Sequence, residues 1–284
     1  MNTVKALYHK ITATLVPKVG AGEAKEMALI IFENLKGWNM TDILVKGDNE
    51  VSDFIVEKAE NVLKRIVEDD EPIQYIFGTA HFYGMVFDVT RDTLIPRQET
   101  AQLVDIIVEE NGDEKDLNVL DIGTGSGCIA LSLARNLKFP HVTGIDISAG
   151  AIEVARKNAA KLRANVDFVC ADFFAYPDAN EKFDIIVSNP PYIAMSEAKT
   201  MERNVLDYEP HTALFVPDSN PLEYYTAIAD YGIKNSKTGG RLYFEINPLF
   251  AEELKVTVEK AGWGNVTLIR DMFGKIRFLK AIRP

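Results

Sequence analysis

Hydrophobic positions in the first quarter of the chain recur at helical spacing. Val4, Leu7, Ile11 and Leu15 fall on one face of a helix, and Pro17 with Gly20 predicts its end. Met27, Ile30, Ile31 and Phe32 repeat the stripe between Glu23 and Leu35, closing at Gly37. Thr41 predicts the cap of a short helix. Ser52 predicts that of a longer one carrying Phe54, Ile55, Ala59, Val62, Leu63 and Ile66. Residues 1–75 therefore read as a small helical domain with no catalytic constellation of its own.

The period then changes. His81-Phe82-Tyr83-Gly84 and Met85-Val86-Phe87-Asp88-Val89 are aromatic and β-branched, which predicts a hairpin, taken as a linker over residues 76–98. Thr100 or Glu99 predicts the start of an amphipathic helix running from Ala101 to Glu109. From Leu117 onward strand-like and helix-like segments alternate, which argues for a parallel sheet within a domain spanning 99–284. The expected strands are Asn118–Leu120, Val142–Ile145, Val166–Cys170, Phe183–Ser188, Gly240–Ile246, Val266–Arg270 and Ile276–Ile282, with a helix from Ile129 to Asn136.

Four consecutive strands end in polar or aromatic residues. The first runs through Asp121 into Gly123-Thr124-Gly125-Ser126-Gly127, and glycines there let the backbone turn tightly and approach a ligand closely. The second ends at Asp146, 25 residues beyond Asp121, near the spacing at which an acidic side chain meets a ribose. The third ends at Asp172-Phe173, an acid and a ring suited to an adenine. The fourth stops at Asn189-Pro190-Pro191-Tyr192, since two prolines have no N–H for a sheet ladder and fix φ twice. An open α/β sheet binds ligands at the carboxyl ends of its strands. The Asn189 amide oxygen, the Pro190 carbonyl and the Tyr192 ring there suit a planar group bearing –NH2, either a carboxamide or a nucleobase.

Composition narrows the choices. The chain has 284 residues, is 47% hydrophobic and 26% charged, and carries a net charge of −11. That acidity, without a dense Lys/Arg run, argues against direct nucleic-acid binding and suits a basic protein partner. Cys128 and Cys170 each lie in an apolar run and are expected to be buried. The four histidines are scattered, with no metal-ligand spacing. No apolar run reaches membrane-spanning length, and the N-terminus lacks a signal-peptide core, so a soluble, cytoplasmic protein is expected. No lysine follows the glycines in the manner of a P-loop, and the pattern is GxGxG rather than the GxGxxG of dinucleotide sites.

The glycine turn, the strand-end acids and Asn189-Pro190-Pro191-Tyr192 together resemble the class I S-adenosylmethionine-dependent methyltransferases. Gln74-Tyr75-Ile76-Phe77-Gly78, Phe82-Tyr83-Gly84, Leu94-Ile95-Pro96-Arg97-Gln98-Glu99-Thr100 and Asp207-Tyr208-Glu209-Pro210 with Ala213-Leu214 resemble the protein-(glutamine-N5) methyltransferases. The helical N-terminal region is similar to that of members acting on peptide chain release factors. The resemblance implies an α/β fold: a Rossmann-like, seven-stranded, mostly parallel sheet closed by a reversed hairpin, with a small helical N-terminal domain for substrate recognition and a β-hairpin linker. It implies S-adenosylmethionine as cofactor, with Gly123, Thr124, Gly125, Ser126 and Gly127 lining its methionine part, Asp146 on the ribose, and Asp172 and Phe173 flanking the adenine. Asn189, Pro190, Pro191 and Tyr192 would hold the acceptor glutamine beside the cofactor, with Asn189, Pro190 and Tyr192 in catalytic roles and the Arg97 loop close by. The implied acceptor is the glutamine of the release-factor Gly-Gly-Gln loop. Alternatives are a ribosomal-protein glutamine, a nucleobase amino group, or a binding module that kept the fold. The chain departs from the family pattern at Gln98, where Pro is usual, and at Asn247, where Gly usually follows the Glu-Ile of the fifth strand.

Overall fold

A computed structural model describes residues 2–179 and 181–284. The chain divides into two compact units, 1–78 with 203–208, and 79–202 with 209–284.

The smaller unit is helical. Its first helix, α1 (Val4–Lys36), keeps Pro17 inside and breaks at Gly20, whose φ of 82° and ψ of 168° are not helical. The interruption thus lies at the glycine, and helix resumes directly after it. Gly37 closes α1 in the left-handed conformation. The next helix, α2 (Met40–Val45), is capped by Asn39 rather than Thr41, because Asn39 and Asp42 exchange side-chain-to-backbone bonds of 3.0 and 3.3 Å. Ser52 precedes α3 (Asp53–Glu68) as expected, although its hydroxyl makes no capping bond. A short helix, α4 (Ile73–Phe77), follows. Val4, Leu7, Ile11, Ile31, Phe32, Val62, Leu63 and Ile66 form one buried cluster, so the helical stripe read from the sequence is the core of this unit.

The larger unit begins with the hairpin β1 (Thr79–Phe82) and β2 (Met85–Asp88). Its two turn residues, Tyr83 and Gly84, have φ of 49° and 70°, as a two-residue primed turn demands. Phe82 and Phe87 sit in the same buried cluster as the sheet, so the hairpin is part of this unit. Asn158 fastens it by receiving the Asp88 N–H and donating to the Asp88 and Ser126 carbonyls.

Helix α5 (Gln98–Asn111) starts three residues before the expected Ala101, with Arg97 at its cap. There follow β3 (Asn118–Ile122), α6 (Cys128–Asn136), β4 (His141–Asp146), α7 (Ala149–Leu162), β5 (Asp167–Cys170) and β6 (Phe183–Ser188). A two-strand parallel pair follows, β7 (Ile193–Ala194) and β8 (Phe215–Val216); between them in sequence come α8 (Arg203–Leu206), which belongs to the smaller unit, and α9 (His211–Leu214). The chain ends through α10 (Glu223–Asn235), β9 (Ser236–Glu245), α11 (Ala251–Lys260), β10 (Gly264–Arg270) and β11 (Ile276–Ile282).

Seven strands form one sheet in the order β10-β11-β9-β6-β3-β4-β5. All neighbours pair in parallel except at β11, which is antiparallel to both β9 and β10. The pleat separates two cores. Val119, Ile185 and Val187 face α5, α6 and α7 on one side, while Leu120, Ile186 and Leu242 face α10 and α11 on the other. This is a three-layer, Rossmann-like sandwich. Because the chain runs from β3 outward to β5 and then returns to β6 on the opposite side of β3, the strand order reverses between β3 and β6. A crevice opens at the carboxyl ends of strands at such a reversal. Among the described residues no helix is long and apolar enough to cross a membrane.

Candidate active site

The crevice is there. A cavity of about 1080 Å³, including the open solvent at its mouth, lies at the carboxyl ends of β3, β4, β5 and β6. Gly123, Thr124, Gly125, Ser126, Asp146, Asp172, Phe173, Asn189, Pro190 and Pro191 all line it. The structure therefore brings together the four strand ends that the sequence singled out, along with Arg97.

The glycine turn is held from beneath. The N–H groups of Gly123 and Thr124 both donate to the Ile145 carbonyl at 2.9 Å. Asp121, wholly buried at the end of β3, accepts from the Thr124 hydroxyl at 2.6 Å and from the Ala130 N–H at 3.1 Å, joining the turn to the first turn of α6. Burial outweighs those two bonds and raises the Asp121 carboxyl to about 7. Gly123 and Gly125 have positive φ, and a Cβ at either would meet no atom within 4 Å, so both present bare backbone to open space. Gly127 differs. It is buried, does not line the cavity, and a Cβ there would lie 3.0 Å from Leu131 and Phe168. Its role is packing beneath the turn, which corrects the expectation that it faces the ligand.

Asp146 ends β4 with both oxygens in use, accepting from Gly125 N–H at 2.8 Å and Ser148 N–H at 2.9 Å. Each carboxylate oxygen keeps acceptor capacity for a further donor. Burial raises its carboxyl above the ordinary range, against the backbone donors that lower it. Asp172 accepts the Phe174 N–H at 3.0 Å and caps a short 3-10 turn. The Phe173 ring meets Tyr231 edge-on at 5.4 Å, and Tyr224 completes that side of the cavity.

The Asn189 corner is anchored through Ser188, whose hydroxyl donates to the Ile122 carbonyl at 2.6 Å and ties β6 to β3. Asn189 Nδ2 donates to Thr100 Oγ1 at 3.3 Å, and Thr100 Oγ1 donates to Glu245 Oε2 at 2.6 Å. Tyr192 departs from expectation. It is absent from the cavity wall: its ring packs against the second core and its hydroxyl donates to Glu245 Oε1 at 3.3 Å, which raises its pKa further beyond the effect of burial. The residue after two prolines is turned into the protein, behind the corner. Arg97 lines the cavity and is ion-paired to the buried Glu209, which also accepts the Ile95 N–H at 3.3 Å.

The residues missed from the sequence are Thr100 as a wall residue, Glu245, Glu209 and Tyr224. Glu245 carries a visible signal, a lone carboxylate at the end of the apolar run Leu242-Tyr243-Phe244. Cys128 is half-buried on the cavity wall, its thiol pushed up to about 12 chiefly by loss of solvation, and Cys170 is exposed, so neither is fully buried as their apolar neighbours led one to expect.

Residues 113–231 match a family described as a methyltransferase domain, and residues 7–78 match the PrmC N-terminal domain. The chain is 43% identical to a release factor glutamine methyltransferase of Bacteroides thetaiotaomicron over 100% of both chains. It is 41% identical to one from Flavobacterium psychrophilum over 91% of each.

The chain belongs to the release factor glutamine methyltransferase family.

A crystal structure of a methyltransferase from Pyrococcus furiosus shares the fold, with a TM-score of 0.53 at 17% identity, covering 80% of this chain and 98% of that one. The methyl donor of this family member is S-adenosylmethionine, and the cavity fits it. Bare glycine backbone faces open space, a carboxylate with spare acceptor capacity ends β4, and an aromatic residue beside an acid ends β5.

Proposed function

We propose that the chain transfers a methyl group from S-adenosylmethionine to the side-chain amide nitrogen of the glutamine in the Gly-Gly-Gln loop of peptide chain release factors. One observation carries this reading: the Asn189 corner and the glycine turn are walls of the same cavity. A corner facing away from the turn would have left no place for an acceptor beside the donor. In this reading Gly123 to Ser126 border the methionine part of the cofactor, Asp146 receives the ribose hydroxyls, and Asp172 and Phe173 flank the adenine.

Bound S-adenosylmethionine supplies a methyl group already activated on a sulfonium. The chain's own task is to orient a poor nucleophile, since an amide nitrogen shares its lone pair with its carbonyl. Asn189 Oδ1 and the Pro190 carbonyl accept the two N–H groups of the substrate carboxamide. Both acceptors would also favour the positive charge that grows on nitrogen as the N–C bond forms and the carbon–sulfur bond breaks; the methylated amide, strongly acidic while protonated, would then lose one N–H proton to water. Positioning of this kind contributes up to about 7–11 kcal/mol in ideal cases. Pro190 and Pro191 hold the corner rigid. Tyr192 acts from behind, steadying the corner through Glu245 rather than stacking on the acceptor. The N-terminal helical unit serves to recognise the protein substrate, and the reaction takes place in the cytoplasm without direct nucleic-acid binding, consistent with the net charge of −11.

The test is to incubate the protein with labelled cofactor and, in parallel, a release factor, a ribosomal-protein mixture and a nucleic-acid pool. Label is expected in the release factor alone. Asn189→Ala is expected to abolish turnover while S-adenosylmethionine affinity falls only modestly. Near-normal turnover in that variant would remove Asn189 from the mechanism.

A further inference from the structure

An asparagine used as an acceptor has an orientation problem. Its amide offers oxygen on one branch and NH2 on the other, and the two branches have nearly the same shape. A free Asn189 would present either to the substrate. With the oxygen forward it accepts from a carboxamide. With the nitrogen forward it donates, and the ligand it then suits is a carboxylate.

Side chains far apart in sequence remove the ambiguity. Burial raises the Glu245 carboxyl above its ordinary range, while the Thr100 hydroxyl, the Arg277 charge and the Tyr192 hydroxyl each favour its ionised form; ionised, it only accepts. Thr100, equally buried, has a single hydroxyl proton, and this points at Glu245 Oε2 at 2.6 Å. The Thr100 oxygen therefore has only lone pairs left for Asn189, and the atom it meets at 3.3 Å is the donor Nδ2. Turning the amide over would set oxygen against oxygen, or draw the Thr100 proton away and leave a buried Glu245 oxygen without its donor. The second oxygen of Glu245 is held by the Tyr192 hydroxyl at 3.3 Å, and the Glu245 backbone carbonyl by Tyr225 at 2.9 Å, so the carboxylate cannot swing to follow.

We propose that Thr100 and Glu245 are positioning residues that lock the Asn189 amide with its oxygen toward the acceptor, and that this lock makes the site select a carboxamide over the isosteric carboxylate. The proposal rests on the reading of Asn189 given above. It assigns to Tyr192 a share in the lock, through the far oxygen of Glu245.

The experiment uses the full chain, labelled S-adenosylmethionine and two forms of a release factor: the natural one, and one with the acceptor glutamine replaced by glutamate as a competitor. Thr100→Val removes the hydroxyl and keeps the shape. Its kcat is expected to fall about 100-fold, the cost of a misplaced reacting group, while cofactor affinity measured by calorimetry stays at the wild-type value. Inhibition by the glutamate form is expected to strengthen about tenfold relative to wild type, because the released amide turns to meet the carboxylate. Thr100→Ser, which restores the hydroxyl, is expected to recover both turnover and selectivity. A merely structural threonine would change neither the selectivity nor the response to serine. Wild-type turnover and selectivity in Thr100→Val, beside an inactive Asn189→Ala, would overturn the lock and leave the corner's role standing. An active Asn189→Ala would overturn the corner and the lock with it.

Discussion

The same methyl group, added at two positions two residues apart, separates the two tasks of the glycine turn. At Gly127 the backbone has φ of +81°, and a new Cβ would lie 3.0 Å from Leu131 Cδ1 and from Phe168 Cζ and 3.3 Å from Ala155 Cβ. Positive φ costs a non-glycine residue about 1–2 kcal/mol, and forcing a methyl into a packed core costs about 1–3 kcal/mol more. Gly127→Ala is therefore expected to lose about 2–5 kcal/mol of stability, which at about 2–4 °C per kcal/mol lowers Tm by roughly 4–20 °C. At Gly125 the φ of +56° lies in the left-handed well and a Cβ meets nothing within 4 Å. Gly125→Ala keeps only the backbone cost of about 1–2 kcal/mol. Its methyl stands in the cavity, however, and is expected to weaken S-adenosylmethionine binding about tenfold or more, which is 1.4 kcal/mol. Thermal melts without ligand and calorimetric titration with S-adenosylmethionine read the two effects separately. Equal losses of Tm in both variants, or wild-type cofactor affinity in Gly125→Ala, would refute the division of the turn into a buried foot and a ligand-facing crest.

Two further outcomes follow from the carboxylates around that turn. Asp146→Ala removes the acceptor of two backbone N–H groups as well as the group assigned to the ribose; cofactor Kd is expected to rise about 10- to 100-fold, the worth of a charge-assisted hydrogen bond, and an unchanged Kd in calorimetry would end that assignment. Asp121, raised from 3.8 to about 7 by burial, keeps its proton in the folded state over a range where the unfolded chain has lost it. Ionisation thus opposes folding, fully above about 7 and not at all below 3.8, so this group's contribution worsens as pH rises between those values, by up to about 4 kcal/mol. Asp121→Asn keeps an acceptor for Thr124 and Ala130 without the charge. It is expected to flatten the dependence of Tm on pH between 5 and 8, and a variant that parallels wild type there would show that Asp121 does not carry that dependence.

Most of the sheet was legible because its signals are local. β-branched runs fix the strands, and the Asn189 corner announces itself through two adjacent prolines whose effect on the backbone needs no distant partner. The bounds of Phe183–Ser188 and Ile276–Ile282 match the runs that mark them in the sequence. Boundaries set by capping were less legible. Asn39 competed with Thr41 for the same helix, and only the reciprocal bond with Asp42 decides it. Side-chain direction was least legible of all. Tyr192 follows the corner in sequence, yet its ring is turned inward because Glu245, 53 residues on, holds its hydroxyl. Thr100 looked like a helix cap and proved to touch Asn189, 89 residues away. Partners at such separations are contributed by topology, which sequence spacing alone does not reveal.

The two departures from the family pattern have opposite physical weight. Gln98 is the first residue of α5. A proline there would come with its φ already set for a helix start and would give up an N–H that has no intrahelical partner in any case. Glutamine forgoes that preorganisation and otherwise leaves the helix start intact. Asn247 adds something that a glycine lacks. Its side chain donates to the Tyr192 carbonyl and to Glu197 Oε1, both at 3.0 Å, and accepts the Leu249 N–H at 3.0 Å. Glu197 in turn accepts the Ala194 N–H at 2.8 Å. The segment that leaves the proline corner is thereby pinned at two points, Tyr192 and Ala194, to the strand end that supplies Glu245. The corner is braced on its cavity side by Thr100 and on its far side by Asn247, so what varies in this chain is the fastening of the acceptor site, while the acceptor groups themselves follow from Asn189 and Pro190.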